Sequence, residues 1–294
     1  MSESEEAQAW TVQRVLRWAA EDFTKRGIES ARLDAELLLG RVLGFDRLKL
    51  ILEATRELTQ DQLNAFRALI KRRRGYEPIA YILGEREFYG HSFRVDKRVL
   101  IPRPDTETLV DVALSRTKAA YMYGRALDLC TGSGCVALSL AKARPTWSVL
   151  ATDISEGALA VAKNNSQRLS AAFSVGWSQG DLFEAAPANT SFDLIVSNPP
   201  YIPDAEVPEL DAGIVNFEPH LALLGGPEGT RILARLIQEA PRHLNAGGLL
   251  AVEIAWNQAQ AVRSLFESAG FSAILVNKDY GQRDRVVSGV LGSK

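Results

Sequence analysis

Short apolar stretches typical of buried strands alternate with helical stretches from residue 126 to residue 291. The predicted strands are 126–129, 148–152, 173–178, 192–197, 249–254, 273–277 and 286–291. The predicted helices between them include 157–170, 230–243 and 258–269. Alternation of this kind favours a mostly parallel sheet with helices on both faces. The short connection between the last two strands favours an antiparallel pair at one end of the sheet.

The beginning of the chain has helical periodicity instead. One apolar stripe comprises Val12, Val15, Leu16, Ala19 and Phe23, a second comprises Leu33, Leu37, Leu38 and Val42, and a third comprises Leu63, Phe66 and Ile70. Thr59 and Gln62 have capping-box spacing before the third stripe. We therefore predict a helical bundle over residues 1–75. Alternating apolar residues, among them Ile79, Tyr81 and Leu83, predict a β-hairpin linker over 76–100, and the α/β domain then occupies 101–294.

The charge balance of the 294 residues bears on the class of protein. There are 34 Lys and Arg against 36 Asp and Glu, whereas a protein that binds nucleic acid mainly through its phosphates is usually more basic. The run from Lys71 to Arg74 could touch an RNA-bearing partner, or it could be the solvated end of a helix. The acidic first residues do not resemble a signal peptide, and no apolar run approaches a membrane span. We expect a cytoplasmic protein without a membrane segment.

A glycine-containing turn follows the first strand of the predicted sheet. Its residues are Cys130, Thr131, Gly132, Ser133 and Gly134, and with Ala137 they have the G-x-G-x-x-A spacing of a dinucleotide turn. Small residues let a ligand approach the backbone closely, and the following helix offers free N–H groups. Asp153 ends the second strand, where a carboxylate accepts ribose hydroxyls. The pattern predicts a nucleotide or nucleoside site and leaves NAD, FAD and S-adenosylmethionine open. A tight turn without a ligand is the alternative.

Residues beside this turn allow two interpretations each. Asp181 and Leu182 follow the third strand, where they could accept the amino group of adenine and cover its ring, or form an ordinary Asx turn. Cys130 and Cys135 could ligate a metal. Because there is no nearby His or further Cys, we expect small buried side chains and no metal.

The fourth strand runs into Asn198-Pro199-Pro200-Tyr201-Ile202. The carboxyl ends of the strands of a doubly wound sheet share one crevice, so this segment should face the glycine turn. The Asn198 side-chain carbonyl is an acceptor, two prolines remove backbone donors, and Tyr201 offers a flat face. Such a set fits a planar NH2 group, either of an amide or of a nucleobase. Acceptors on its protons favour methyl transfer to the nitrogen, because they stabilise the charge that develops there. A rigid loop is the alternative.

The sequence resembles the release factor glutamine methyltransferase family, often called HemK-type, over nearly its whole length. The matching motifs lie at 31–39, 77–78, 81–84, 87–90 and 100–107, in the glycine turn, at Asp153, and at 198–202, 218–219 and 283–287. The Asn-Pro-Pro-Tyr motif is shared with DNA adenine methyltransferases. The segment Ile101-Pro102-Arg103-Pro104-Asp105-Thr106-Glu107 is much more specific to the family.

The resemblance implies a Rossmann-like class I S-adenosylmethionine-dependent methyltransferase sheet with an N-terminal helical bundle domain. It implies transfer of a methyl group from S-adenosylmethionine to the side-chain amide of the glutamine in the Gly-Gly-Gln loop of peptide chain release factors, which the helical domain docks. The donor site then comprises Cys130 to Gly134, Asp153, Asp181, Leu182 and Asn198. Asn198, Pro199, Pro200 and Tyr201 form the catalytic segment, and together with Ile202 and Arg103 they bind the substrate.

Two positions depart from the family pattern. Many members have Gly in place of Cys130. After the fifth strand the family often has Glu, an apolar residue or His, and then Gly, whereas this chain has Glu253-Ile254-Ala255-Trp256, which bears on the lining of the crevice. The alternative functions are methylation of a ribosomal-protein glutamine, adenine-N6 methylation of a nucleic acid, and a binding module without turnover. The balanced charge argues against the nucleic-acid enzyme. We expect a monomer without direct nucleic-acid specificity.

Overall fold

Residues 9–117, 122–170 and 175–292 are described by a computed structural model. They belong to two units with separate cores, Met1–Leu83 and Gly84–Lys294. The predicted boundaries at 75 and 100 differ from this division, because residues 76–83 fall in the first unit.

The first unit is helical. Its elements are α1 (Val12–Lys25), α2 (Ala31–Leu43), α3 (Arg47–Leu52), α4 (Gln60–Arg74) and α5 (Ile79–Leu83). The α1 stripe predicted from Val12 to Phe23 is buried at every position. The capping box of α4 is also present, with the Thr59 side chain accepting from the Gln62 backbone and the Gln62 side chain accepting from the Thr59 backbone. Both features are local, so the sequence patterns predicted them directly.

The buried face of α2 differs from the predicted stripe. Leu33 is 42% exposed, whereas the core receives Ala31, Ala35, Leu38 and Leu39. An acidic side chain is buried on the same helix, since Asp34 is only 1% exposed. Nε of Arg73 lies 2.7 Å from Oδ2 of Asp34, and this ion pair compensates the burial of the carboxylate. The helix is therefore rotated relative to the prediction.

The basic run at the end of α4 contacts acidic residues of its own unit. Arg72 pairs with Glu77, Arg73 with Asp34 and Arg74 with Asp22. The run does end a helix, as cations near a helix C-terminus should. The Arg72 side chain is 43% exposed, as expected for a solvated helix end, whereas Arg73 is mostly buried, and the charges of all three arginines are engaged by acidic residues.

The expected hairpin between 76 and 100 is shorter than predicted. Ile79–Leu83 is a helical turn, in which the N–H groups of Tyr81 and Ile82 donate to the carbonyl of Pro78. Five residues are too few to separate a period of two from a period of 3.6, so the strand prediction there was wrong. The hairpin itself is present as β1 (Glu85–Phe88) paired with β2 (His91–Arg94).

The second unit contains the predicted alternation of strands and helices. Its further strands are β3 (Arg125–Leu129), β4 (Ser148–Asp153), β5 (Val175–Gln179), β6 (Phe192–Ser197), β7 (Leu244–Glu253), β8 (Phe271–Lys278) and β9 (Asp284–Leu291). Its helices are α6 (Glu107–Arg116), α7 (Cys135–Ala143), α8 (Glu156–Arg168), α9 (Ala212–Phe217), α10 (Arg231–Glu239) and α11 (Ala259–Ser268). The first two positions of the strand predicted at 173–178 lie outside the described residues.

The seven-stranded sheet has the order β5-β4-β3-β6-β7-β9-β8 in the described part of the chain. Strands β5, β4, β3, β6 and β7 are parallel, while β9 is antiparallel to both β7 and β8, as predicted for the end of the sheet. The chain crosses from β3 to β4 on one side and later to β6 on the other. The carboxyl ends of β3 and β6 therefore form a topological switch point, where such sheets bind ligands.

The observed boundaries of two elements differ from the predicted ones. Helix α10 ends at Glu239, and a short 3-10 turn with Pro241 replaces the predicted continuation to His243, because proline cannot continue the helical hydrogen bonding. Strand β7 begins at Leu244 rather than 249, with an irregular register opposite β6. Gly247 in this stretch has a φ of 77°, a backbone conformation that favours glycine.

Candidate active site

A cavity of about 280 Å³ opens at the carboxyl ends of β3, β4 and β6. Of the residues predicted to form the site, it is lined by Arg103, Cys130, Thr131, Gly132, Ser133, Asp153, Asp181, Leu182, Asn198 and Pro200. A second cavity of about 130 Å³ is lined by Arg103, Asn198, Pro199, Tyr201 and Ile202. Gly134 belongs to neither lining. Asn198 and Arg103 line both cavities and therefore lie where the two approach one another.

The glycine turn adopts left-handed backbone at three positions. Cys130, Gly132 and Gly134 have φ values of 59°, 56° and 80°. Gly134 is required twice over, since a Cβ there would also lie 3.1 Å from the Cβ of Ala162. The conformation of Cys130 is one that glycine adopts without strain and other residues rarely adopt. Burial raises the pKa of both the Cys130 and Cys135 thiols to about 12, so both are neutral.

Asp128 holds this turn through hydrogen bonds, and the sequence analysis missed it. Its Oδ2 accepts from the Thr131 hydroxyl at 2.6 Å and from the Ala137 backbone at 3.1 Å. Burial raises the pKa of Asp128 to about 7. The signal available in the sequence was a single acidic residue among apolar residues near the end of a predicted strand.

The Asp153 carboxylate faces the cavity at the end of β4. Its Oδ2 accepts from the Gly132 backbone and its Oδ1 from the Ser155 backbone, both at 2.9 Å. Burial raises its pKa, and these backbone bonds act in the opposite direction. The side chain is thus held rigidly at the edge of the cavity, where its remaining lone pairs can accept hydroxyl groups.

Asp181 and Leu182 follow β5, the strand next to β4, and line the same cavity. Leu182 is buried and has a φ of 50°. Oδ2 of Asp181 pairs with Arg235 at 2.9 Å, an ion pair that is more than a third exposed on both sides. Asp181 therefore combines an acceptor at the cavity with an external partner that the sequence did not reveal.

The segment after β6 is fixed at several atoms. The Asn198 amide Nδ2 donates to the Thr106 hydroxyl at 3.2 Å. The Tyr201 hydroxyl donates to Oε1 of Glu253 at 3.0 Å, and its carbonyl accepts from Gln258 at 2.9 Å. The carbonyl of Tyr201 is therefore engaged inside the fold. The acceptors that the segment can offer to a ligand are the Asn198 side-chain carbonyl and the proline carbonyls.

Arg103 makes an ion pair rather than standing free at the cavity. Its Nη2 lies 2.5 Å from Oε1 of Glu218, whose side chain is 1% exposed, while Oε2 of Glu218 accepts from the Ile101 backbone. This buried carboxylate fixes the proline segment and neutralises Arg103. The predicted role of Arg103 in substrate binding remains a prediction.

Other sequence expectations concern the surroundings of the site. Neither Ala255 nor Trp256 is among the described residues lining the two cavities, and Trp256 is 62% exposed. Within the described ranges, no group of three or more His, Cys, Asp or Glu side chains is placed to hold a metal ion. No helix in the described ranges combines the length and apolar character needed to span a bilayer.

The sheet order and the ligand cleft at its switch point define a Rossmann-like class I methyltransferase fold. A methyltransferase from Pyrococcus furiosus shares this fold with a TM-score of 0.52 and 20% identity, over 70% of this chain and 91% of its own. The family model described as "PrmC N-terminal domain" matches residues 14–84, and the one described as "Methyltransferase small domain" matches 106–215.

Curated relatives identify the family more closely. A release factor glutamine methyltransferase from Rhodopirellula baltica is 41% identical over 98% of this chain and 99% of its own length. Another from Yersinia pestis is 45% identical over 94% of this chain and 98% of its own. The chain belongs to the release factor glutamine methyltransferase family.

Proposed function

We propose that this protein transfers a methyl group from S-adenosylmethionine to the side-chain amide nitrogen (N5) of the glutamine in the Gly-Gly-Gln loop of peptide chain release factors, and thereby modulates translation termination. Family membership supports this reaction. The observation that carries it is the position of Asn198, which lines both cavities while its amide nitrogen is held by Thr106. Its side-chain carbonyl is then free to accept from an NH2 group.

The larger cavity suits S-adenosylmethionine. Gly132 and Gly134 let a ligand approach the backbone, Asp153 presents a carboxylate for ribose, and Leu182 supplies an apolar surface for a base. The volume of about 280 Å³ is close to the lower end of small-molecule sites. When bound, this cofactor supplies an electrophilic methyl group on a sulfonium.

The protein's own groups then orient and activate the acceptor. Amide nitrogen is a weak nucleophile because its lone pair is conjugated with the carbonyl. Asn198 and a proline carbonyl would accept the two N–H bonds, which stabilises the nitrogen as its bond to carbon forms. In the balanced reaction the C–N bond forms as the C–S bond breaks, and one amide proton is released to solvent. Holding the amide in place adds an orientation effect.

We also propose that the helical unit docks the release factor and that the enzyme acts as a monomer in the cytoplasm, where release factors work. The match of residues 14–84 to the "PrmC N-terminal domain" model supports a family-specific role for this unit. The balanced charge of the chain supports a protein rather than a nucleic-acid substrate.

The experiment is incubation with labelled S-adenosylmethionine and purified release factor, followed by mass spectrometry of the Gly-Gly-Gln peptide. A mass increase of one methyl group on that glutamine is expected. Parallel reactions with ribosomal protein and with adenine-containing DNA test the alternatives. Label in either of those substrates, with none in the release factor, would overturn the proposed acceptor.

A further inference from the structure

Glu253 is a buried acidic residue at the end of β7 that the proposed reaction does not use directly. It is 1% exposed, and Oε1 accepts from the Tyr201 hydroxyl at 3.0 Å. Oε2 is buried without a close hydrogen-bond partner in the described part of the chain. The Thr106 hydroxyl also acts on this carboxylate and lowers the pKa of Glu253, so Thr106 is a donor available to the unpaired Oε2. Such a group is costly to bury, which calls for a structural or functional reason.

Glu253 thus connects to both ends of the segment after β6. It accepts from Tyr201 directly, and Thr106, whose hydroxyl acts on the carboxylate, accepts at its Oγ1 from Nδ2 of Asn198 at 3.2 Å. We propose that Glu253 is a positioning residue that fixes the direction of the Asn198 amide through the Thr106 hydroxyl. This inference rests on the proposed function, because it concerns how the same acceptor is presented.

The order of protons along this chain of groups explains the effect. An ionised carboxylate can only accept, so the hydroxyl hydrogen of Thr106 turns toward Glu253. The Thr106 oxygen is then available as an acceptor, and Asn198 must offer it Nδ2. The side-chain carbonyl of Asn198 consequently points away from Thr106, in the orientation needed to accept from a substrate NH2 group. A neutral donor in place of the carboxylate reverses each step and turns the Asn198 amide around.

Several charged groups surround Glu253 and set its protonation. Burial raises its pKa to about 7, Tyr201 and Arg285 lower it, and Asp105 raises it. The charge of Glu253 in turn raises the pKa of the Cys135 thiol. Arg285 is itself engaged by Asp279 and Asp105. Since the ionised form orients Asn198 correctly, kcat should rise with pH through the neutral range.

The test compares Glu253→Gln with the wild type in the labelled assay on release factor. Glutamine has the size of glutamate but can donate to Thr106, so it should reverse the proton order. We expect kcat to fall tenfold or more, with KM and the cofactor Kd changed less than twofold and the rising pH limb lost. Glu267→Gln, the same exchange at an exposed position of α11, should leave kcat within twofold.

A second pair of variants tests the proposal even if Glu253→Gln does not fold. Thr106→Val deletes the hydroxyl and should lower kcat tenfold, whereas Thr106→Ser keeps it and should retain at least a third of kcat. A wild-type kcat in Glu253→Gln with an unchanged pH profile would overturn the proposal, as would equal losses in both Thr106 variants. An inactive wild-type enzyme would instead refute the proposed function.

Discussion

The backbone N–H of Gly132 donates to Oδ2 of Asp153 across 2.9 Å and ties the glycine turn after β3 to the end of β4. The other carboxylate oxygen accepts from Ser155. Each oxygen retains a second lone pair, so the residue can hold the turn and still accept hydroxyl groups from a ligand. The cofactor site therefore depends on Asp153 both for contact and for the shape of the turn.

Replacing Asp153 by alanine should weaken cofactor binding by about 1.5–3 kcal/mol, the usual value of a hydrogen bond to a charged group. Titration calorimetry with S-adenosylmethionine measures this change directly. Asp61→Ala, which removes an exposed carboxylate from α4 in the other unit, should leave the affinity unaltered. Wild-type affinity in the Asp153 variant would remove this residue from the site.

Replacing Asn198 by alanine should mainly lower kcat. The reason is that its hydrogen bond to the substrate strengthens only as the nitrogen becomes nucleophilic. Steady-state kinetics on release factor separate kcat from KM, and Asn164→Ala on the exposed face of α8 is the matched control. A raised KM with an intact kcat would mean that Asn198 only holds the substrate.

Much of this site was predictable because its signals are local. The glycine turn, Asp153 and the Asn198 segment each follow a strand, and the carboxyl ends of parallel strands meet at one edge. The residues that hold the segment were not predictable in the same way. Thr106 lies 92 positions from Asn198, and Glu253 lies 52 positions from Tyr201. No local pattern reports a contact over such a distance.

In the helical unit, too, local sequence patterns could not predict a contact between residues far apart in the chain. Apolar periodicity placed α1 correctly, but it directed Leu33 of α2 inward and did not anticipate the burial of Asp34. The observed helix buries Asp34 because Arg73, which is 39 residues away, neutralises it. Rules that place every charge outside cannot anticipate a compensated pair.

Deleting residues 1–83 tests the docking role of the helical unit. The boundary follows the division of the chain into two units with separate cores. Cofactor affinity should change less than about threefold. By contrast, kcat/KM on whole release factor should fall at least tenfold, because docking contributes binding energy only when the substrate is the whole release factor. A short Gly-Gly-Gln peptide is the control substrate and should be used equally by both forms. Equal turnover of whole release factor would refute docking, provided that circular dichroism shows a folded protein.

The buried carboxylate of Glu253 should also give stability a distinctive dependence on pH. Burial raises its pKa from the ordinary 4.5 to about 7 in the folded protein. Between these values the folded state retains a proton that the unfolded chain releases. Stability from this group is therefore complete below pH 4.5 and is lost as the pH rises through 7.

Glu253→Gln removes this titration while Oε1 can still accept from Tyr201. The variant should gain stability over the wild type by about 2–3 kcal/mol as the pH rises from 5 to 8. Scanning calorimetry measures the gain as a growing difference in the Tm of the α/β unit, and comparing the two proteins cancels the contribution of Asp128, whose pKa is also raised to about 7. A difference that stays constant or shrinks with pH would contradict a raised pKa. A variant that is more stable at pH 8 yet slower in catalysis would show that this acid is kept for the orientation of Asn198 and lowers the stability of the fold.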